Sequence, residues 1–265
     1  MGIRPGSFFL WYNGKQEGGG VMEHIETLGG RISCVVSEDH GFGTDAMLLA
    51  DFAGPCPKGP VLDLGTGCGI IPLLFRRNGV TEDLYGLEVQ EAAYGQFVRG
   101  VVLSAEKCDM DNVHPLLGDL RTLEEYALPL GQFRTVTMNP PYKPAGTGIL
   151  SASEAEQIAR HETMCTIDDA CAAAAKALNF GGSFCICHRP ERLADVMTAF
   201  RAHDLEPKRL RFVQKRADTS PWLFLLEGKK GGKPYLNVLP PLLIQHEDGT
   251  DSEELKRIVG DYAMQ

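Results

Sequence analysis

The sequence predicts an α/β fold: a mostly parallel, seven-stranded sheet with helices on both faces and an antiparallel strand at its edge. Three observations predict it. From Pro60 onward, short apolar runs alternate with segments of helical period. A glycine-rich turn, Gly65 to Gly69, joins the first of these runs to a helix. Acidic residues (Asp63, Glu88, Asp119) stand at or just past the ends of three successive runs.

Taken in order, Met1–Val21 has no strand or helix period, contains Gly18-Gly19-Gly20, and is expected to be a flexible extension; Met22 opens the domain. Arg31–Ser37 reads as a strand. Thr44 or Asp45 is the expected cap of a short apolar helix reaching Ala53, which Gly54-Pro55 and Pro57 to Pro60 break. Val61–Leu64 is a strand, Ile70–Asn78 a helix, and Leu84–Val89 a second strand, followed by a helix to about Cys108. Val113–Leu117 and Arg134–Met138 are the third and fourth strands, the latter running into Asn139-Pro140-Pro141-Tyr142. Ser153–Phe180 reads as a helix, strongest over Ala170–Ala177 and stopped by Gly181-Gly182. Ser183–His188 is the fifth strand and Arg192–His203 a helix; Leu210–Gln214 and Trp222–Glu227 are two late strands close enough to pair antiparallel.

Composition narrows the function classes. The 265 residues contain no apolar run near the roughly 20 residues a membrane span needs, and Phe8–Tyr12 is too short for a signal-peptide core, so a cytoplasmic protein without membrane association is expected. Eight scattered cysteines form no CxxC pair; buried thiols are expected and no metal site. The net charge is −9, yet residues 176–235 carry 12 basic and 6 acidic side chains. Lys208, Arg209, Arg211, Lys215 and Arg216 fall within ten residues with no acidic neighbour, a stripe suited to phosphates.

The turn Asp63-Leu64-Gly65-Thr66-Gly67-Cys68-Gly69 has GxGxG spacing rather than the GxGxxG of a dinucleotide fold, and no GK[ST] ending. It suits the amino-acid end of S-adenosyl-L-methionine better than a pyrophosphate. Glu88, at the end of the second strand, can accept hydrogen bonds from both ribose hydroxyls. Asp119, after the third strand, can accept one from the adenine amino group. Parallel order would bring all three to the carboxyl edge of the sheet, where ligands of such sheets bind.

Asn139-Pro140-Pro141-Tyr142 ends the fourth strand on the same edge. An exocyclic amino nitrogen is a poor nucleophile because its lone pair is delocalised into the ring. Two acceptors aimed at its N–H groups, the Asn139 side-chain oxygen and the Pro140 carbonyl, oppose that delocalisation, and proline holds the backbone in place. Tyr142 offers a flat face to the target ring.

With these motifs, and with Gly43-Thr44-Asp45-Ala46, Arg160-His161-Glu162, His188-Arg189-Pro190-Glu191-Arg192 and Pro207–Val213, the chain resembles the bacterial tRNA1(Val) adenine-37-N6 methyltransferases, most closely their Gram-positive branch. The resemblance runs from Met22 to Tyr262. It implies a Rossmann-like class I methyltransferase domain over residues 22–265, in which 22–59 cover the cofactor. It implies S-adenosyl-L-methionine as cofactor, S-adenosyl-L-homocysteine as product, no metal, tRNA as substrate and no obligate protein partner. Residue by residue, it implies Asp63, Gly65, Thr66, Gly67 and Gly69 around the methionine part, and Glu88 with Val89 at the ribose. Asp119 and Leu120 would lie near adenine, and Thr44 and Asp45 would close over the cofactor. Asn139, Pro140, Pro141 and Tyr142 would hold the target, Asn139 also touching the cofactor, with Arg160, His161 and the basic stripe on RNA. A protein glutamine-N5 methyltransferase and an rRNA guanine-N2 methyltransferase are the alternatives.

Overall fold

The computed structural model describes residues 22–140 and 165–260. The expected N-terminal extension and the first part, Ser153 to 164, of the helix expected over Ser153–Phe180 lie outside them.

An N-terminal hairpin comes first: β1 (Glu23–Leu28) pairs antiparallel with β2 (Ile32–Ser37) as a separate two-stranded sheet. Helix α1 (Thr44–Ala53) follows. The main sheet is then laid down by alternation: β3 (Val61–Leu64), α2 (Ile70–Arg77), β4 (Leu84–Glu88), α3 (Glu91–Ala105), β5 (Val113–Leu117) and β6 (Phe133–Met138). After α4 (Ile167–Ala177) come β7 (Leu178–His188), α5 (Leu193–Ala202), β8 (Leu205–Gln214) and β9 (Leu223–Lys230). Two-residue strands β10 (Asn237–Val238) and β11 (Leu242–Leu243) and helix α6 (Glu253–Val259) complete the described chain.

The seven long strands run β5-β4-β3-β6-β7-β9-β8, and β10 and β11 line the outer side of β8. All pair parallel except β9, which is antiparallel to both β7 and β8. The expected antiparallel pair is thus present, with the reversed strand one position in from the edge. Helix α5 returns the chain so that β8 is parallel to β7, whereas only residues 215–222 separate β8 from β9 and a reversal is forced.

Side chains alternate between two cores. Val61, Cys185, Cys187, Leu223 and Leu225 pack with α1, α2, α3 and α6; Leu62, Leu64, Phe184, Ile186, Phe224 and Leu226 pack with α4 and α5. Burial on both faces explains why these strands read as continuous apolar runs.

Several boundaries differ from expectation: β8 begins at Leu205 rather than Leu210, β9 runs on to Lys230, and two others have a clear physical cause. Helix α4 starts at a capping box, Thr166 with Asp169, and stops at Ala177 rather than at Gly181. Leu178 is extended and fully buried, and it pairs with Phe133 across a register shift on β6. Gly182 lies where an added Cβ would come within 3.0 Å of the Phe133 carbonyl, so the glycines serve the irregular strand pairing and not a helix stop. Gly43, not Thr44 or Asp45, caps α1; the Asp45 carboxylate accepts the Ala46 N–H at 2.9 Å from within the first turn.

Candidate active site

Strand register brings the motif residues level. Leu64 pairs with Leu87 on one side and Met138 on the other, Glu88 pairs with Leu117, and Met138 pairs with Ile186. The residues that follow these pairs, Gly65, Val89, Gly118-Asp119, Asn139 and Cys187, therefore share the carboxyl edge. The sequence-expected residues 63 to 69, 88, 89, 119, 120, 139 and 140 are brought together there. Pro141, Tyr142, Arg160 and His161 lie outside the described residues.

The turn after β3 is pinned at both ends. Thr66 N–H donates to the Leu87 carbonyl (3.0 Å), and Gly69 N–H to the Thr66 carbonyl (3.0 Å). Gly65, Gly67 and Gly69 have φ of 65°, 58° and 81°, a region L side chains rarely enter. Their surroundings differ. An added Cβ would meet nothing within 4 Å at Gly67 and only the Met138 methyl, at 3.9 Å, at Gly65. At Gly69 it would come within 1.9 Å of the Phe97 ring. Gly65 and Gly67 thus present bare backbone to open space, whereas Gly69 lets α2 pack against α3.

Glu88 is buried at 4 % exposure. One carboxylate oxygen accepts the Gly67 N–H and the other the Gln90 N–H, both at 2.8 Å. It therefore ties the glycine turn to the end of β4, and each oxygen keeps a second lone pair for a ligand. Val89 beside it is 45 % exposed, an apolar surface at the rim.

Asp63 is 2 % exposed and accepts the Thr137 hydroxyl at 2.7 Å. Burial pushes its carboxyl up to about 7; the Thr137 bond opposes the shift and the nearby Glu88 charge adds to it. A buried carboxyl costly to ionise is suited to meet a cation that arrives with a ligand.

Asp119 is differently employed from what the sequence suggests. Its carboxylate caps the short 3-10 turn Leu120–Glu125 by accepting the Arg121 N–H (2.9 Å), and it pairs with the Arg121 guanidinium (2.5 Å). Those hydrogen bonds and that charge hold it below the ordinary carboxylate range. The Tyr126 hydroxyl accepts the Asp119 N–H at 2.9 Å. Leu120, half-buried, follows at the start of the turn.

Asn139 is half-buried and Pro140 buried. The Cys187 thiol donates to the Asn139 side-chain oxygen at 3.0 Å. Next along β7, His188 is 7 % exposed, and its Nδ1 accepts the Arg189 N–H at 2.8 Å. Burial, with Arg192 and Arg189 adding to it, pushes His188 down to about 4, so the ring is neutral near pH 7. Thr137, Cys187 and His188 were not singled out as site residues. Strand alternation was the available signal, because Thr137 and Cys187 each fall on the face shared by Asp63 and Asn139.

The basic stripe does not form one patch. Arg209 pairs with Glu227, donates to the Phe52 carbonyl (2.9 Å) and stacks on the Phe52 ring; Arg211 holds Glu254 with two bonds of 2.7 and 2.9 Å. Lys208 donates to the Lys233 carbonyl, and Arg216 pairs with Asp218. Lys215 is exposed just past the end of β8 and, with Arg216, stands on the carboxyl edge. Among the described residues no His, Cys, Asp and Glu cluster has the make-up of a metal site, and no helix is long and apolar enough to cross a membrane.

No family model matches the chain. Curated relatives do. The tRNA1(Val) (adenine(37)-N6)-methyltransferase of Serratia proteamaculans is 28 % identical over 227 residues, 84 % of this chain and 83 % of the relative. That of Bacteroides thetaiotaomicron is 29 % identical over 165 residues, 62 % and 65 % of the two chains. That of Glaesserella parasuis is 30 % identical over 100 residues, 37 % of this chain; this match and one in Pasteurella multocida span only 39 % and 42 % of those relatives' lengths. These relatives come from Gammaproteobacteria and Bacteroidetes, so the expected placement in a Gram-positive branch finds no support. Among solved structures, a predicted O-methyltransferase from Agrobacterium tumefaciens superposes with a TM-score of 0.65 at 19 % identity, covering 83 % of this chain and 98 % of that one. A 16S rRNA N2 methyltransferase of T. thermophilus in complex with AdoMet and guanosine gives 0.51 at 18 % identity, covering 79 % and 50 %. The chain thus has the fold of the S-adenosylmethionine-dependent class I methyltransferases.

Proposed function

We propose that this chain transfers a methyl group from S-adenosyl-L-methionine to an exocyclic amino nitrogen, adenine N6 in tRNA, at position 37 of tRNA-Val as in its named relatives. The observation that carries the reading is the placement of Asn139-Pro140 on the sheet edge directly beside the open glycine turn.

The residues fit the cofactor. Gly65 and Gly67 leave space where a side chain would obstruct it, Glu88 keeps lone pairs for ribose hydroxyls, and buried Asp63 awaits the ammonium of the methionine part. Val89 and Leu120 would flank the adenine ring. Arg121 takes up both oxygens of the Asp119 carboxylate, so Asp119 would reach the adenine amino group only by giving up part of that pairing. Thr44 and Asp45, at the start of α1, would close over the site. When bound, S-adenosyl-L-methionine supplies a methyl group on a cationic sulfur, which is already electrophilic.

The chain's own part is positioning. The Asn139 side-chain oxygen and the Pro140 carbonyl accept the two N–H bonds of the target, restoring lone-pair density to its nitrogen. Pro141 and Tyr142 would complete the motif, the tyrosine offering a face to the base, which must leave its own stack to enter. Arg160, His161 and Lys215 would hold the flanking phosphates, with Arg216 beside them in a surface pair with Asp218, while Lys208, Arg209 and Arg211 contribute less because their donors serve internal acceptors.

The test is incubation of the purified protein with S-adenosyl-L-methionine and unmodified tRNA, followed by nucleoside mass spectrometry. N6-methyladenosine should appear, and Asn139→Ala should slow its formation about 100- to 1,000-fold while leaving cofactor binding within a few-fold of wild type. N2-methylguanosine in rRNA, or methylglutamine in a protein substrate, would instead establish one of the two alternatives.

A further inference from the structure

We infer that Cys187 is a positioning residue that fixes the Asn139 amide with its oxygen available to the target nitrogen; this rests on the reading of Asn139 as an acceptor. An asparagine amide can turn to exchange its oxygen and its NH2 group. Only the oxygen can accept a target N–H; the reversed amide would set donor against donor. Asn139 stands just past the end of β6, half-buried, where the strand ladder no longer restrains it.

The Cys187 thiol supplies the restraint. Its sulfur lies 3.0 Å from the Asn139 oxygen, and it is fully buried in the last turn of alternation on β7. The pair Met138 and Ile186 sets the register, so Asn139 and Cys187 follow as neighbours across the parallel ladder. A side-chain bond between neighbouring strands is also present one repeat earlier, from β6 to β3. Thr137 stands opposite Cys185 and donates to Asp63, fixing that carboxyl as Cys187 fixes the amide.

A thiol suits the place for two reasons. It is cheaper to bury than a hydroxyl, because it behaves as a small hydrophobe with a weak donor. A weak donor also occupies one lone pair of the amide oxygen without drawing much density from the other, which is left for the target.

The experiment compares wild type with Cys187→Ala, Cys187→Ser, Asn139→Ala and the Cys187→Ala/Asn139→Ala double variant. Single-turnover methylation of tRNA, kcat and KM, the cofactor Kd and Tm are measured for each. Loss of the restraint should lower kcat about tenfold in Cys187→Ala, with the cofactor Kd and KM for tRNA within about twofold. Cys187→Ser, which retains a donor, should recover most of the rate. In the Asn139→Ala background, Cys187→Ala should have no further effect, because the two act as one unit.

Wild-type kcat in Cys187→Ala would overturn the inference, as would an undiminished further loss in the double variant. So would a rate loss that serine does not restore and that tracks a fall in Tm and cofactor affinity. If wild type is active and these results appear, only the role of Cys187 fails. A wild-type protein that binds the cofactor but methylates no amino nitrogen refutes the functional reading as well.

Discussion

Asp63→Asn separates what the site costs the fold from what it contributes to binding. In the folded protein the Asp63 carboxyl holds its proton up to about pH 7; in the unfolded chain it loses it near the ordinary value of 3.8. Between those values the folded state binds more protons, so stability falls as pH rises from 4 to 7 and is level above. Roughly three pKa units at 1.36 kcal/mol each give about 4 kcal/mol withheld from the ligand-free protein at pH 8. Asparagine cannot ionise, and its oxygen can still accept the Thr137 hydroxyl. Any fixed cost of its extra N–H is the same at every pH and leaves the slope untouched. Urea unfolding of ligand-free wild type and Asp63→Asn at pH 4, 5, 6, 7 and 8 measures the difference directly, since all other titrations cancel. The variant should gain on wild type by about 1.4 kcal/mol per pH unit up to pH 7 and by nothing beyond. At pH 8 it should also lose S-adenosyl-L-methionine binding, a stability gain bought with function. A stability difference independent of pH would refute the reasoning.

Three further outcomes are expected. Gly67→Ala should fold and lose cofactor affinity, whereas Gly69→Ala should lower Tm sharply, because its Cβ would overlap the Phe97 ring; calorimetry and cofactor titration distinguish them, and equal behaviour would contradict the division of roles within the turn. Glu88→Gln should weaken the cofactor about 10- to 100-fold in isothermal titration, since one of its two backbone N–H partners at 2.8 Å would then face an NH2 group. Arg211→Ala should cost about 1–3 kcal/mol of stability by releasing Glu254 and leave the salt dependence of tRNA binding unchanged; Lys215→Ala should do the reverse, reducing the salt slope by about one unit in filter binding.

The ends of the strands were legible because two independent signals coincide there. An apolar run fixes where β3, β4 and β6 stop, and the residues at or just past those ends (the glycine turn, Glu88 and Asn139) are types that no strand interior favours. The hairpin β1–β2 was half legible: β2 is mostly apolar and buried throughout, whereas β1, Glu23–Leu28, is polar and mostly exposed and owes its strand to the partner across Gly29-Gly30. The boundary between α4 and β7 was misplaced because alanine-rich helix and apolar strand meet without a polar break, and only the distant Phe133 decides that Leu178 is extended.

The stripe at 208–216 is the instructive failure of local reading. Five cations within ten residues look like a field, yet their effect depends on carboxylates remote in sequence. Glu227 reaches Arg209 because β9 lies beside β8, and Glu254 reaches Arg211 because α6 returns over the sheet. A pair of opposite charges inside the molecule presents little field to a phosphate outside it. What would remain for RNA stands at the carboxyl end of β8, where Lys215, beside the surface pair Arg216–Asp218, shares an edge with Asn139. Charge count thus gave the partner's sign, and sheet direction gives the end from which it would approach. A base approaching from that end would lie across the carboxyl ends of β6 and β7, where Asn139, just past β6, and Cys187, next to last on β7, are bonded to each other.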